Sequence, residues 1–147
     1  MAHVRQQIRE RAASTLGSLT TTGSRVYQSR VFPLGSNNLP GLLIYTKSED
    51  SMPETIGTTR TIMRDLSLVI EGYVKAVSDY DDTIDTVSAE VEVAMSGDRT
   101  LNDLAKNSFL ESTEIIFDGE GDQPVAVCTL TYMVEYATLE TDPETAV

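Results

Sequence analysis

The stretch TRTIMRDLSLVIEGYVKAV, residues 59–77, decides the fold, because its apolar side chains recur at every second position rather than at helical spacing. Ile62, Leu66, Leu68, Ile70 and Val74 share one face with Arg64 and Gly72, and Met63, Asp65, Ser67, Val69, Glu71, Tyr73 and Lys75 form the other. A period of two with one mostly apolar face is the mark of a half-buried β-strand. The run far exceeds the roughly five or six residues of an ordinary strand. It is therefore expected at the centre of a sheet, with one end outgrowing the core as a hairpin, a flap or an intersubunit pairing. Gly72 is expected to be a bulge that bends it.

Working outward, residues 2–19 read as an amphipathic helix, with Val4, Ile8, Ala12, Thr15, Leu16 and Leu19 on one stripe and Arg5, Arg9, Glu10 and Arg11 largely off it. TTTG at 20–23 ends it, Gly23 being suited to a left-handed turn. Two strands follow, SRVYQSRVF (24–32) and GLLIYT (41–46), separated by the proline-flanked loop PLGSNNLP and expected to pair as a hairpin. The polar segment 47–60, with Pro53 and Gly57, reads as a long excursion that orders against a neighbour. Beyond the central strand, 78–97 is a second helix. Ser78 is its expected N-cap, Asp79, Asp81 and Asp82 lie at its positive end, and Ile84, Val87, Val91 and Met95 make its buried stripe. A short helical turn is expected at 101–105. FLESTEIIFD (109–118) and PVAVCTLTYMVEYATL (124–139) then form a hairpin around GEGDQ, with Ala126, Cys128, Leu130, Tyr132, Val134 and Tyr136 facing the core. The whole is an α+β fold: a mainly antiparallel mixed sheet of about five strands with two helices on one face. Residues 1–139 make one domain, and 140–147 an acidic flexible tail.

At 147 residues the chain is long enough for one core, and no apolar run approaches the roughly 20 residues of a membrane span. The opening MAHVRQQIRERAAS is too polar for a secretory signal, so synthesis in a cytoplasm is expected. Net charge is −12 and lopsided: residues 1–78 carry nine Lys/Arg against six Asp/Glu, whereas 79–147 carry two against seventeen. One reading is solubility and helix-terminus preference. The other is a basic face and an acidic face that favour head-to-tail contact between copies, the geometry that closes into rings. Either way, the acidic half is a poor grip for nucleic acid, whose binding needs Lys/Arg to neutralise phosphates.

Reactive chemistry is sparse. Cys128 is the sole cysteine and sits in an apolar alternation; His3, the sole histidine, lies near the terminus. Asp79, Asp81 and Glu90 stand at positions 1, 3 and 12 of a calcium-loop pattern, but Ile84 occupies the place that needs glycine. DGEGD at 118–122 reads as a solvated hairpin tip rather than a cation site. No catalytic residue, cofactor or metal is expected.

The order of elements resembles the tail terminator proteins of long-tailed bacteriophages, the minor tail protein U family of lambda-like phages. VRQQIRERAASTL, RVYQSRVFP, LPGLLIY, the acidic SEDSMPE, TIMRDLSLVIEGYV and the closing AVCTLTYMVEYAT carry the likeness, over about residues 3–138. The resemblance implies a non-enzymatic virion protein. It would form a hexameric ring on the tail tube protein, end tube polymerisation and offer a surface to a head completion or connector protein. DNA would pass the lumen without specific binding, and no membrane would be involved. Assembly would occur in the host cytoplasm and the final place would be the head-tail junction of the virion. Candidate intersubunit contacts are Arg5, Arg9, Arg25 and Arg30 against Asp79, Asp81 and Asp82. Alternatives are another head-tail connector, tail completion or tail-tube component, and an acidic protein-interaction module unrelated to phage.

Overall fold

The computed structural model describes residues 2–28, 39–118 and 124–147. Its elements run α1 (Val4–Thr15), β1 (Val26–Tyr27), β2 (Gly41–Pro53), β3 (Thr61–Lys75), α2 (Tyr80–Ser96), β4 (Asn107–Asp118), β5 (Val125–Leu139) and β6 (Asp142–Ala146). They build an α+β fold on one mixed sheet of order β1-β2-β3-β5-β4, with β6 paired to the end of β5.

β3 is the central strand, antiparallel to β2 on one side and to β5 over its whole length on the other, from Thr61 opposite Leu139 to Lys75 opposite Val125. Its even-numbered face supplies Leu66, Leu68, Ile70 and Val74 to the core. Across the sheet these meet Leu42 and Ile44 of β2 and Ala126, Cys128, Leu130, Tyr132, Val134 and Tyr136 of β5. Both helices close over that face, α1 through Val4, Ile8 and Ala12, α2 through Ile84, Val87, Val91 and Met95. Gly72 is not a bulge, since pairing runs through it without a register shift. A Cβ there would stand 3.0 Å from both the Cys128 sulfur and a Val87 methyl, so glycine lets α2 settle onto the sheet.

Several local expectations are corrected. The strand before residue 32 is only two residues long within the described part, and it pairs with β2 in parallel, Val26 opposite Leu42, rather than as a hairpin. The segment 47–60 is not all loop: β2 continues to Pro53, opposite Ile62, and only its distal end turns. α2 is capped by Asp79, not Ser78, and makes no side-chain cap bond. α1 ends at Thr15, yet Gly23 does take the left-handed conformation (φ 57°), its N–H donating to the Leu19 carbonyl at 2.8 Å. In place of a helical turn at 101–105, Leu101, Asn102 and Asp103 have φ of 49°, 59° and 63°, a left-handed turn that pins the fully buried Leu101 under the core. The acidic tail is not loose. β6 pairs with β5, and the Glu144 carbonyl accepts a bond of 2.9 Å from Gln7 of α1. The GEGDQ turn and Arg30 lie outside the described residues.

Candidate interaction surfaces

Two β-bulges decide which side chains reach which face. In β2 the register shifts between Thr46 and Ser48, so Lys47 is extra and the alternation changes parity. Leu42 and Ile44 point to the helix face before the bulge. After it, Glu49, opposite Leu66, points there instead. That parity change carries a carboxylate under the start of α1. Glu49 accepts from Arg5 at 2.9 Å and from Arg64 at 3.1 Å, and it also pairs with the Tyr136 hydroxyl. The side chains of Glu49 and Arg64 are only 9% and 14% exposed, so this is a largely desolvated cluster. Arg64 also donates to Thr138 at 3.2 Å and lies 6.0 Å from the Tyr136 ring centre, directly across the β3–β5 ladder. Burial, then the hydrogen bond and charge of Glu49, push the Tyr136 hydroxyl well above its ordinary range. His3 caps α1 by accepting the Arg5 N–H at 3.0 Å, and burial, with Arg5 and Arg64 nearby, lowers its pKa. Each charge here answers another, so the cluster braces α1 against β2, β3 and β5.

A second clasp joins the helices. Asp98, just past α2, accepts from Arg11 at 2.9 Å and from the Thr15 hydroxyl at 2.7 Å. Burial alone would raise its carboxyl, but these bonds outweigh it and hold the pKa below the ordinary value. Glu90 receives the Thr21 backbone N–H at 2.9 Å and its hydroxyl as well.

The candidate contact residues fall into two groups on opposite flanks of the sheet. Arg5 bridges to β2, Arg9 donates to Gln28 just after β1 at 3.3 Å, and Arg25 donates to the Pro40 carbonyl, just before β2, at 2.7 Å and to the Thr21 carbonyl at 3.0 Å. All three therefore sit on the β1–β2 side. Arg25, held by two backbone carbonyls, also pins a loop. Asp79, Asp81 and Asp82 are exposed at the opposite flank, where the neighbouring Tyr80 ring stacks at 5.5 Å against Phe117 of β4.

The sequence does not mark β4 as a surface. Among the described residues it is the outermost strand, paired only to β5, and from Glu111 to Phe117 every side chain is exposed. A bulge between Leu110 and Ser112 places Ile115 and Phe117 on the helix face, opposite Cys128 and Ala126, and Phe109 and Ile116 on the back face, opposite Met133 and Val127. These four are 46–55% exposed. α2 packs over β3 and β5, and of these four side chains it meets Phe117, through the Tyr80 ring at its first turn. Near the start of β4 a cleft of about 430 Å³ opens between Met95 and Arg99 at the end of α2 and Phe109 and Tyr132. Glu92, Ser96, Arg99, Asn107 and Ser108 line it with polar groups, and the Ser108 hydroxyl donates to the Arg99 carbonyl at 2.7 Å. The sulfur of Cys128 is fully buried, and burial raises its pKa, which keeps it a thiol. α2 runs through 80–96, so Asp79, Asp81 and Glu90 lie along a helix rather than around a loop.

No protein-family model matches the sequence, and no curated protein sequence matches it. Among solved structures the chain is similar to one from the virion of a native gene transfer agent particle, at 17% identity, over 90% of each chain and with a TM-score of 0.38.

Proposed function

We propose that the chain is a virion structural protein of the tail terminator kind, a building block rather than an enzyme. Copies associate into a ring that sits on the tail tube, ends its growth and presents a surface to a head completion protein. The observation that carries this reading is the outermost strand β4, with half-exposed apolar residues on both faces, on the flank opposite the arginines of α1. A heterologous contact between unlike flanks closes into a ring when the rotation closes. The resemblance of the sequence to the tail terminator family supplies the kind of ring. An acidic lumen would let DNA slide, because it repels phosphate.

Sedimentation and electron microscopy of the purified chain at high concentration test the reading. Ring-sized particles of uniform diameter are expected. A chain that stays monomeric at every attainable concentration contradicts it and favours the acidic interaction module.

A further inference from the structure

Among the described residues, β4 is unpaired along its outer edge, and β2 meets β1 only at Leu42 and Leu43, which leaves the 46–53 segment open. Open edges are templates for pairing, and natural proteins blunt them with short strands, charges or cover. β4 is long and carries Phe109, Ile115, Ile116 and Phe117 at its surface; its bulge and the charges of Glu111 and Glu114 blunt its middle and leave apolar residues at either end.

Strand direction selects the mate. β2, β3, β5 and β4 alternate in direction, each pair being antiparallel, so β4 runs opposite to β2. A second copy set in the same orientation beside β4 thus offers its β2 as an antiparallel neighbour, with the helices of both copies on the same face. Self-pairing of β4 is disfavoured by charge, since an antiparallel β4 pair brings the acidic Glu111 and Glu114 of the two copies together. The β2 flank offers Lys47 and Arg9 to those acids, although Asp50 and Glu54 are exposed beside them, and Met52 and Ile56 add exposed apolar contacts near the end of β2.

We propose that β4 of one copy pairs with the 46–53 segment of β2 in the next, so that a continuous antiparallel sheet links the copies. This rests on the ring reading above and assigns its contact. Asp79, Asp81 and Asp82, beside the end of β4, then face the basic flank of the neighbour.

The test uses the full chain with single added cysteines on the helix face, Thr113→Cys in β4 and Ser51→Cys in β2, and a short bis-maleimide. Cys128 is buried and stays unreactive. A cross-linked dimer is expected when the two proteins are mixed and not from either alone, and adding Ile116→Lys to the Thr113→Cys protein is expected to cut its yield at least tenfold. Cross-linking of Thr113→Cys alone overturns the proposal in favour of a β4–β4 pair, and of Ser51→Cys alone in favour of a β2–β2 pair. A mixture that does not cross-link, while wild-type chain sediments as an oligomer at the same concentration, overturns this contact and leaves the ring standing. Wild-type chain that remains monomeric there overturns the ring and this contact together.

Discussion

β5 and β4 are neighbours in one sheet, similar in length and both rich in apolar residues, yet their surroundings differ completely. On β5 the side chains from Ala126 to Tyr136 that face the helices are sealed, and even the back-face Val127 is only 8% exposed. On β4 the apolar residues at 115–117 are about half exposed. The difference follows from what covers each strand: α2 lies over β3 and β5, and at 115–117 of β4 it contributes the Tyr80 ring against Phe117. Apolar residues that add little to the core are free to serve contact with another molecule. β5 builds the fold, and β4 displays it.

The comparison breaks most visibly at the ionic cluster. Glu49→Ala strands Arg64, which is 14% exposed, without its carboxylate. Loss of a buried partner costs about 3 kcal/mol or more, which urea unfolding should register. Leu130→Ala, deep in β5, is expected to cost about 2–5 kcal/mol by the same measurement, from lost burial and the cavity left behind. Gly72→Ala drives a methyl to 3.0 Å from Cys128 and Val87, and about 1–3 kcal/mol of overpacking is expected. Acidification sharpens the picture at the helix clasp. Because the folded pKa of Asp98 lies below its ordinary value, its stabilising contribution is complete above the unfolded carboxylate pKa and is lost as pH falls through the folded one. Asp98→Asn should therefore flatten the acid limb of stability against pH. At the small end, Ile116→Thr on β4 should leave unfolding within about 0.5 kcal/mol of wild type while weakening self-association. A large loss of stability there would erase the distinction between the two strands.

Much of this arrangement was legible in the sequence. The alternation of 59–77 and 124–139 identified the two central strands, and the stripes of Val4, Ile8 and Ala12 and of Ile84, Val87, Val91 and Met95 identified the helices, because burial on one face imposes a period that local reading detects. What stayed hidden depends on partners distant in the chain. The parity change at Lys47 arises in the β2–β3 ladder, so neither the length of β2 nor the placing of Glu49 beside Arg5 and Arg64 is visible in KSED alone. Parallel pairing of β1 with β2 is a matter of direction between two strands, which the composition of neither one displays. Composition also misled at 142–146, where DPETA looks disordered but finds β5 and α1 waiting. For the site, the basic and acidic groups were recognisable, whereas the intramolecular duties of Arg5 and Arg25 and the exposure of β4 required the sheet order.

Hydrogen exchange measured against protein concentration tests the central claim most directly, that β4 is an edge kept open for another copy. In dilute solution, amides of 107–118 should exchange faster than those of β5. As the chain associates, protection should rise in 107–118 and in 46–53 together while β5 stays unchanged. Association that leaves exchange in 107–118 as fast as in the dilute chain would contradict the account.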